Sequence, residues 1–207
     1  MTSLAARERE ALLDLMADAG PHAPTLLGDW TTHDLAAHLV VRERRPLAVP
    51  GYVLAPLHGL SARFEARTRR RQYEDLLALL RRGAPVWSPV GSPVDAVDDL
   101  TNLHEFFVHH EDVRRVATPE PRALSRELED ALWARARVLA PVFTRRARGV
   151  GIELVTPAAQ AFTVRSGRDR VVVRGRPGEL FLWLWGRPAD VSLEGAVDRL
   201  AEVQIGP

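Results

Sequence analysis

The chain has no cysteine and no lysine among its 207 residues. Lack of cysteine excludes a disulfide framework, a thiolate zinc site and a cysteine nucleophile together, so any thiol chemistry must use a thiol brought from outside. Lack of lysine makes all 28 basic residues arginine. With the abundance of alanine, this looks like coding bias toward GC-rich codons. Clusters such as Arg69-Arg70-Arg71 and Arg145-Arg146 therefore read as solvated helix faces rather than nucleic-acid contacts. Net charge is only +1. No stretch approaches the roughly 20 apolar residues that span a bilayer. The N-terminus turns charged before an apolar run can form, so it does not read as a signal peptide, and a cytoplasmic location is expected. No Gly-rich phosphate loop follows a strand and no Gly-x-Ser-x-Gly elbow is present, which leaves nucleotide and serine-hydrolase chemistry without support.

What is present reads as a globular protein: 46% hydrophobic and 27% charged residues. The length suits one domain of about 150 residues with a smaller appendage. Helical spacing of Leu4, Glu8, Leu12, Leu15 and Met16 predicts a helix over 3–19, stopped by Gly20-Pro21. Thr31, with Asp34 three residues on, has the form of a helix cap, and a second helix follows over 32–45. Pro46 to Gly59 is broken by prolines and glycines and reads as a loop. Phe64, Tyr73, Leu76, Leu77 and Leu80 predict one helix over 60–82. Ser92-Pro93-Val94-Asp95 looks like a helix start and predicts a fourth helix over 93–116. A last helix, 125–148, meets Pro141, which should kink or break it.

After residue 149 the texture changes. Ile152–Val155, Phe162–Val164 and Arg170–Val173 are short β-branched runs separated by Gly and Pro, which is the pattern of strands. The apolar stretch 177–186, with Pro177 at its start and Gly186 past its end, favours a helix. Asp190–Leu193 reads as a further strand and Ala196–Glu202 as a short closing helix. The fold class expected is α+β, mainly α, with domains at 1–149 and 150–207.

The chemistry gathers on the helix holding Asn102 to Asp112. Taking Glu105 as the origin and about 100° per residue, His109 falls near 40° and Asn102 near 60°, among Val113, Phe106 and Val116. An unpaired carboxylate and imidazole on an apolar face cost several kcal/mol, so something must pair with them. A metal ion is one answer; a plain Glu–His hydrogen bond or an arginine partner is the other. His38, facing inward between Leu35 and Val41 on the second helix, supplies a third donor from a neighbouring helix. Two histidines and one carboxylate leave a coordination position open, as catalytic sites do, and these N and O donors suit zinc first, with nickel, iron or manganese as other choices. His104-Glu105 with His109 mimics a zinc-protease motif, but the two histidines are five apart, about 140° round the helix, and do not share an ion. His110 and His33 read as surface or second-sphere groups. Asp112 either orients a ligand imidazole or pairs with an arginine such as Arg115.

The stretches Trp30-Thr31-x-x-Asp34-Leu35-x-x-His38-Leu39 and Glu105-x-x-x-His109-x-x-Asp112 together resemble the DinB-like superfamily, and most closely its mycothiol-dependent maleylpyruvate isomerase group with related metal-binding proteins. The segment 178–187 resembles the small α/β domain that follows the bundle in that group. The resemblance implies an N-terminal four-helix bundle with His38, Glu105 and His109 as metal ligands, followed by a small α/β domain. It implies mycothiol as the external thiol and an electrophilic small molecule as substrate, with isomerisation or S-transfer as the reaction. The alternative function is a non-enzymatic metal-binding sensor or interaction protein. No nucleic-acid or membrane partner is expected, and a homo-oligomer is compatible with the sequence.

Overall fold

A computed structural model describes residues 2–48, 58–201 and 205–206. Among these, eight helices and one four-stranded sheet form, which gives a mainly α protein with a small α/β part, as expected. The chain divides into two compact units, Met1–Pro119 and Glu120–Pro207.

The first unit is helical. Helix α1, Leu4–Ala19, starts where the Ser3 hydroxyl accepts from the Ala6 amide at 3.0 Å and ends at Gly20, whose φ of 77° only glycine adopts readily. Helix α2, Thr32–Arg44, carries the expected capping box: Thr31 accepts from the Asp34 amide, and Asp34 accepts from the Thr31 amide at 2.9 Å. The single helix expected over 60–82 is two, α3 (His58–Thr68) and α4 (Tyr73–Arg81). Between Phe64 and Tyr73 only Ala66 is apolar, so no hydrophobic face holds the arginine run helical. Tyr73 then anchors α4 by donating its hydroxyl hydrogen to Met16 O at 2.7 Å. Much of the loop expected over Pro46–Gly59 lies outside the described residues.

Helix α5, Asp95–Ala117, begins two residues later than expected. Ser92 Oγ accepts from the Val94 amide at 3.1 Å, a local turn that competes with capping the helix. The core of this unit is made by Leu12, Leu13 and Met16 of α1, Leu35 and Leu39 of α2, Leu76 and Leu80 of α4, and Phe106 and Phe107 of α5. Each such side chain contributes roughly 1.5–3 kcal/mol by leaving water.

The second unit starts with α6, Arg126–Phe143, capped by Ser125 Oγ, which accepts from the Leu128 amide at 3.2 Å. Pro141 lies in its last turn and the helix ends two residues on, short of the expected Arg148. Strands β1 (Val150–Val155), β2 (Ala161–Arg165), β3 (Asp169–Arg174) and β4 (Ser192–Gly195) form a sheet in the order β2-β1-β3-β4. The β1–β3 pairing is parallel and the other two are antiparallel. The short link from β2 to β3 crosses the end of β1, and there Gly167 passes so near Gly151 that a Cβ on Gly167 would stand 2.2 Å from the Gly151 nitrogen. Helix α7, Pro177–Leu184, forms as expected, with its Gly178 amide donating to the Glu129 carboxylate of α6 at 2.9 Å. The last strand starts at Ser192 rather than Asp190, because the Asp190 amide donates to Glu179 of α7 at 2.8 Å and is lost to the sheet. The closing helix, α8, is Asp198–Ala201; residue 202 of the expected span lies outside the described residues.

Candidate metal centre

Helices α2 and α5 bring His38, Glu105 and His109 together within the first unit. One imidazole nitrogen of His38, one of His109 and a Glu105 oxygen lie within 4.8 Å of one another. Glu105 Oε1 is 3.4 Å from His38 Nε2 and 3.3 Å from His109 Nε2. Two ligand atoms held tetrahedrally at the usual zinc distances stand about 3.3 Å apart, so both pairs through Glu105 already have ligand spacing. The imidazole rings meet edge to face, with centroids 5.5 Å apart.

Each histidine is turned by a carboxylate on its other nitrogen. His38 Nδ1 is 3.0 Å from Glu65 Oε1 on α3, and His109 Nδ1 is 2.9 Å from Asp112 Oδ2 one turn on. Ionised carboxylates only accept, so they place a proton on each Nδ1 and aim each Nε2 at Glu105. Asp112 is completely buried. Its contact with the His109 imidazole matches one of the two roles open to it in the sequence. Glu65 was not singled out by sequence reasoning; the only local signal is that Ser61 and Glu65, four apart, form the buried stripe of α3.

The second oxygen of Glu105 is engaged elsewhere, since Oε2 lies 3.4 Å from Arg42 Nε. Arg42 was also missed, and on sequence alone it reads as one more helix arginine. Burial works against a charge on Glu105, but Arg42 and the hydrogen bonds of His109 and His38 hold the carboxyl well below the usual carboxylate range. Burial likewise opposes a charged His109, yet Asp112 and Glu105 outweigh it and hold the imidazole up at about 9. The cluster is thus an ion-pair network, and a cation bound there would take the place of a proton.

The remaining histidines stand apart. His110, expected at the surface or in the second sphere, is buried with Nδ1 3.2 Å from Glu8 Oε2 on α1. Helix α5 is covered on that side too, which a one-face projection misses. His33 Nε2 lies 3.1 Å from Arg71 O. Trp30 packs on His38 with centroids 5.4 Å apart, beside the cluster. A cavity of about 300 Å³ in the second unit is lined by Gly151, Glu153, Arg165 and Arg170 and includes none of the three candidate ligands.

Compared with solved structures, the chain superposes on the crystal structure of the mycothiol-dependent maleylpyruvate isomerase with a TM-score of 0.63, over 99% of this chain and 93% of that one, at 20% identity. A histidine-to-alanine mutant of that isomerase gives 0.62 at 19% identity, with the same coverage. This chain has the maleylpyruvate isomerase fold. The fold expected from the resemblance is therefore the fold found. No protein-family model matches the sequence, and no curated protein matches it. No helix among the described residues is long and apolar enough to cross a membrane.

Proposed function

We propose that the chain is an enzyme of low-molecular-weight thiol chemistry, with mycothiol as the thiol and one divalent cation, zinc first, held by His38, Glu105 and His109. The observation that carries this reading is the convergence of the three donor atoms within 4.8 Å, with both imidazoles turned toward the common point by buried carboxylates. The likeness in fold to the mycothiol-dependent maleylpyruvate isomerase supports it. A bound ion supplies Lewis acidity, which lowers the pKa of a thiol at the open position and makes thiolate available near neutral pH.

The chain's own residues do the rest. His38 and His109 present Nε2 lone pairs, Glu65 and Asp112 keep the Nδ1 protons in place, and Trp30 gives an apolar wall beside His38. A thiolate bound there would add to an electron-poor double bond of the substrate, leaving a carbanion. Rotation about the former double bond and elimination of the thiolate would give the isomerised product, whereas uptake of a proton by the carbanion would leave a stable S-adduct instead.

Metal content decides first. Elemental analysis of purified wild type should find about one ion per chain, and His38→Ala and His109→Ala almost none. Equal content in all three would leave the network metal-free, with Glu105 paired to Arg42, His38 and His109. Mycothiol titrated into the metal-loaded protein should then bind more tightly than simple anions and support turnover of maleylpyruvate or another electrophile. A metal-loaded protein with no thiol preference and no thiol-dependent turnover would instead be a metal-binding sensor or interaction protein.

A further inference from the structure

The two oxygens of Glu105 have different neighbours. Oε1 faces both histidine Nε2 atoms, whereas Oε2 faces Arg42 Nε at 3.4 Å. Arg42 is itself immobilised, since one terminal nitrogen donates to Asn102 Oδ1 and the other to Thr101 O, each at 2.7 Å. Asn102 cannot turn away, because its amide nitrogen donates to Asp98 Oδ1 at 2.7 Å and to Val90 O at 2.8 Å. Its oxygen is thereby fixed toward Arg42. Thr101 and Asn102 lie one turn before Glu105 on α5, so the guanidinium from α2 spans that turn and reaches Glu105 in one orientation. Arg42, Asn102 and Asp98 are all buried.

The geometry points to Arg42 as a positioning residue that keeps Glu105 a one-oxygen ligand and so keeps the fourth coordination position open for an anionic ligand such as a thiolate. The inference rests on the metal reading above. A carboxylate with both oxygens free swings onto a cation through both and fills the place an incoming ligand needs. Arg42 prevents this by holding Oε2, and its charge adds to the pull on an anion. Both effects have the same sign: loss of Arg42 weakens anion binding at the open position. A lysine keeps the charge but lacks the planar fork that grips Asn102 and Thr101 while facing Glu105.

Cobalt(II) reports the ligand number directly, because four-coordinate cobalt absorbs visible light more strongly than five-coordinate cobalt. Wild type, Arg42→Gln and Arg42→Lys are loaded with cobalt, their folding is checked by circular dichroism, and each is titrated with azide. Wild type should show the strong four-coordinate spectrum and bind azide. Arg42→Gln should absorb more weakly and bind azide about tenfold less tightly, the order of effect that outer-sphere changes have at metal sites. Arg42→Lys should fall between the two. A wild-type spectrum and azide affinity in Arg42→Gln overturn the inference. Should that variant not fold, a wild-type spectrum in Arg42→Lys overturns it equally. If wild type itself takes up no cobalt, the metal reading falls and this inference with it, whereas normal metal content with unchanged variant spectra removes the positioning role alone.

Discussion

In the unit Met1–Pro119 the charged side chains Glu8, Arg42, Glu43, Glu65, Asp98, Glu111 and Asp112 are buried with His38 and His109, whereas in Glu120–Pro207 the buried side chains are Leu132, Ile152, Leu154, Val171, Val173, Leu180 and Phe181, with Glu179 the one buried charged residue among those described. Charges of the second unit pair outside instead, as Arg174 does with Glu194 on the exposed strand β4. Exposed pairs contribute at most about 1 kcal/mol, while an interior charge costs several unless it is paired. The second unit therefore spends its interior on packing. The first holds charged groups in its interior, where each is costly unless it is paired.

The sharpest way to break this contrast is a packing mutation in the second unit. Phe181 is fully buried in α7 beside Trp185, with ring centroids 6.2 Å apart. Phe181→Ala should cost about 3–5 kcal/mol of stability. Metal affinity of the folded protein should stay as in wild type, since every candidate ligand comes from the first unit. Denaturant titration and calorimetric metal titration measure the two; a parallel fall in metal affinity would show that the site depends on packing in the second unit.

A smaller effect is expected from Glu43, a buried carboxyl outside the candidate ligands. Burial pushes its carboxyl up to about 7, against the opposing pull of Arg9 of α1 and Arg44 and Arg42 of α2, with Asp98 of α5 adding to the rise. An acid raised in the folded state binds more protons there than in the unfolded chain. Its contribution to stability is thus complete below the unfolded value near 4.5 and lost as pH rises toward about 7, by up to about 3 kcal/mol. Glu43→Gln should remove that decline. Comparing unfolding free energies of wild type and variant from pH 4.5 to 7 tests this, and parallel curves would refute it.

The contrast between the units also governs what the sequence revealed. Glu105 and His109 were legible because a helix repeats about every 3.6 residues and exposes polar groups on an apolar stripe. His38 followed from the same rule on α2, and the Thr31–Asp34 box marked where that helix begins. The partners that complete the site were not legible. Glu65 reaches His38 from 27 positions away and Arg42 reaches Asn102 from 60, and no local spacing states which carboxylate or arginine will face a given histidine or amide. The same limit made α3 and α4 one helix. Leucine periodicity after Tyr73 fixed α4, but the gap between Phe64 and Tyr73 had to be read as a break in the hydrophobic face rather than as a tolerated interruption. In the second unit, where packing rather than polar pairing sets structure, β1, β2, β3 and α7 all fell where the residue pattern put them, and the displaced start of β4 traces to one polar contact from Glu179.

The finest test concerns Asp112, since it separates holding a ligand from being one. Its carboxylate lies 2.9 Å from His109 Nδ1 and touches no shared cation point, so Asp112→Asn leaves all three candidate ligands in place. The amide oxygen still accepts from Nδ1–H, so tautomer and ring orientation survive while the negative charge behind the imidazole is lost. His109 becomes a weaker donor, and metal affinity should fall toward the low end of the about 10–100-fold range for outer-sphere partners. Asp112→Ala removes the acceptor as well and frees the ring to turn, so its loss should be the larger of the two. Competition with a chromophoric chelator at fixed pH orders wild type, Asp112→Asn and Asp112→Ala. If both variants bind metal as wild type does, Asp112 belongs with the buried ion pairs of the first unit that have no part in the site, and the contrast between the units narrows by that one residue.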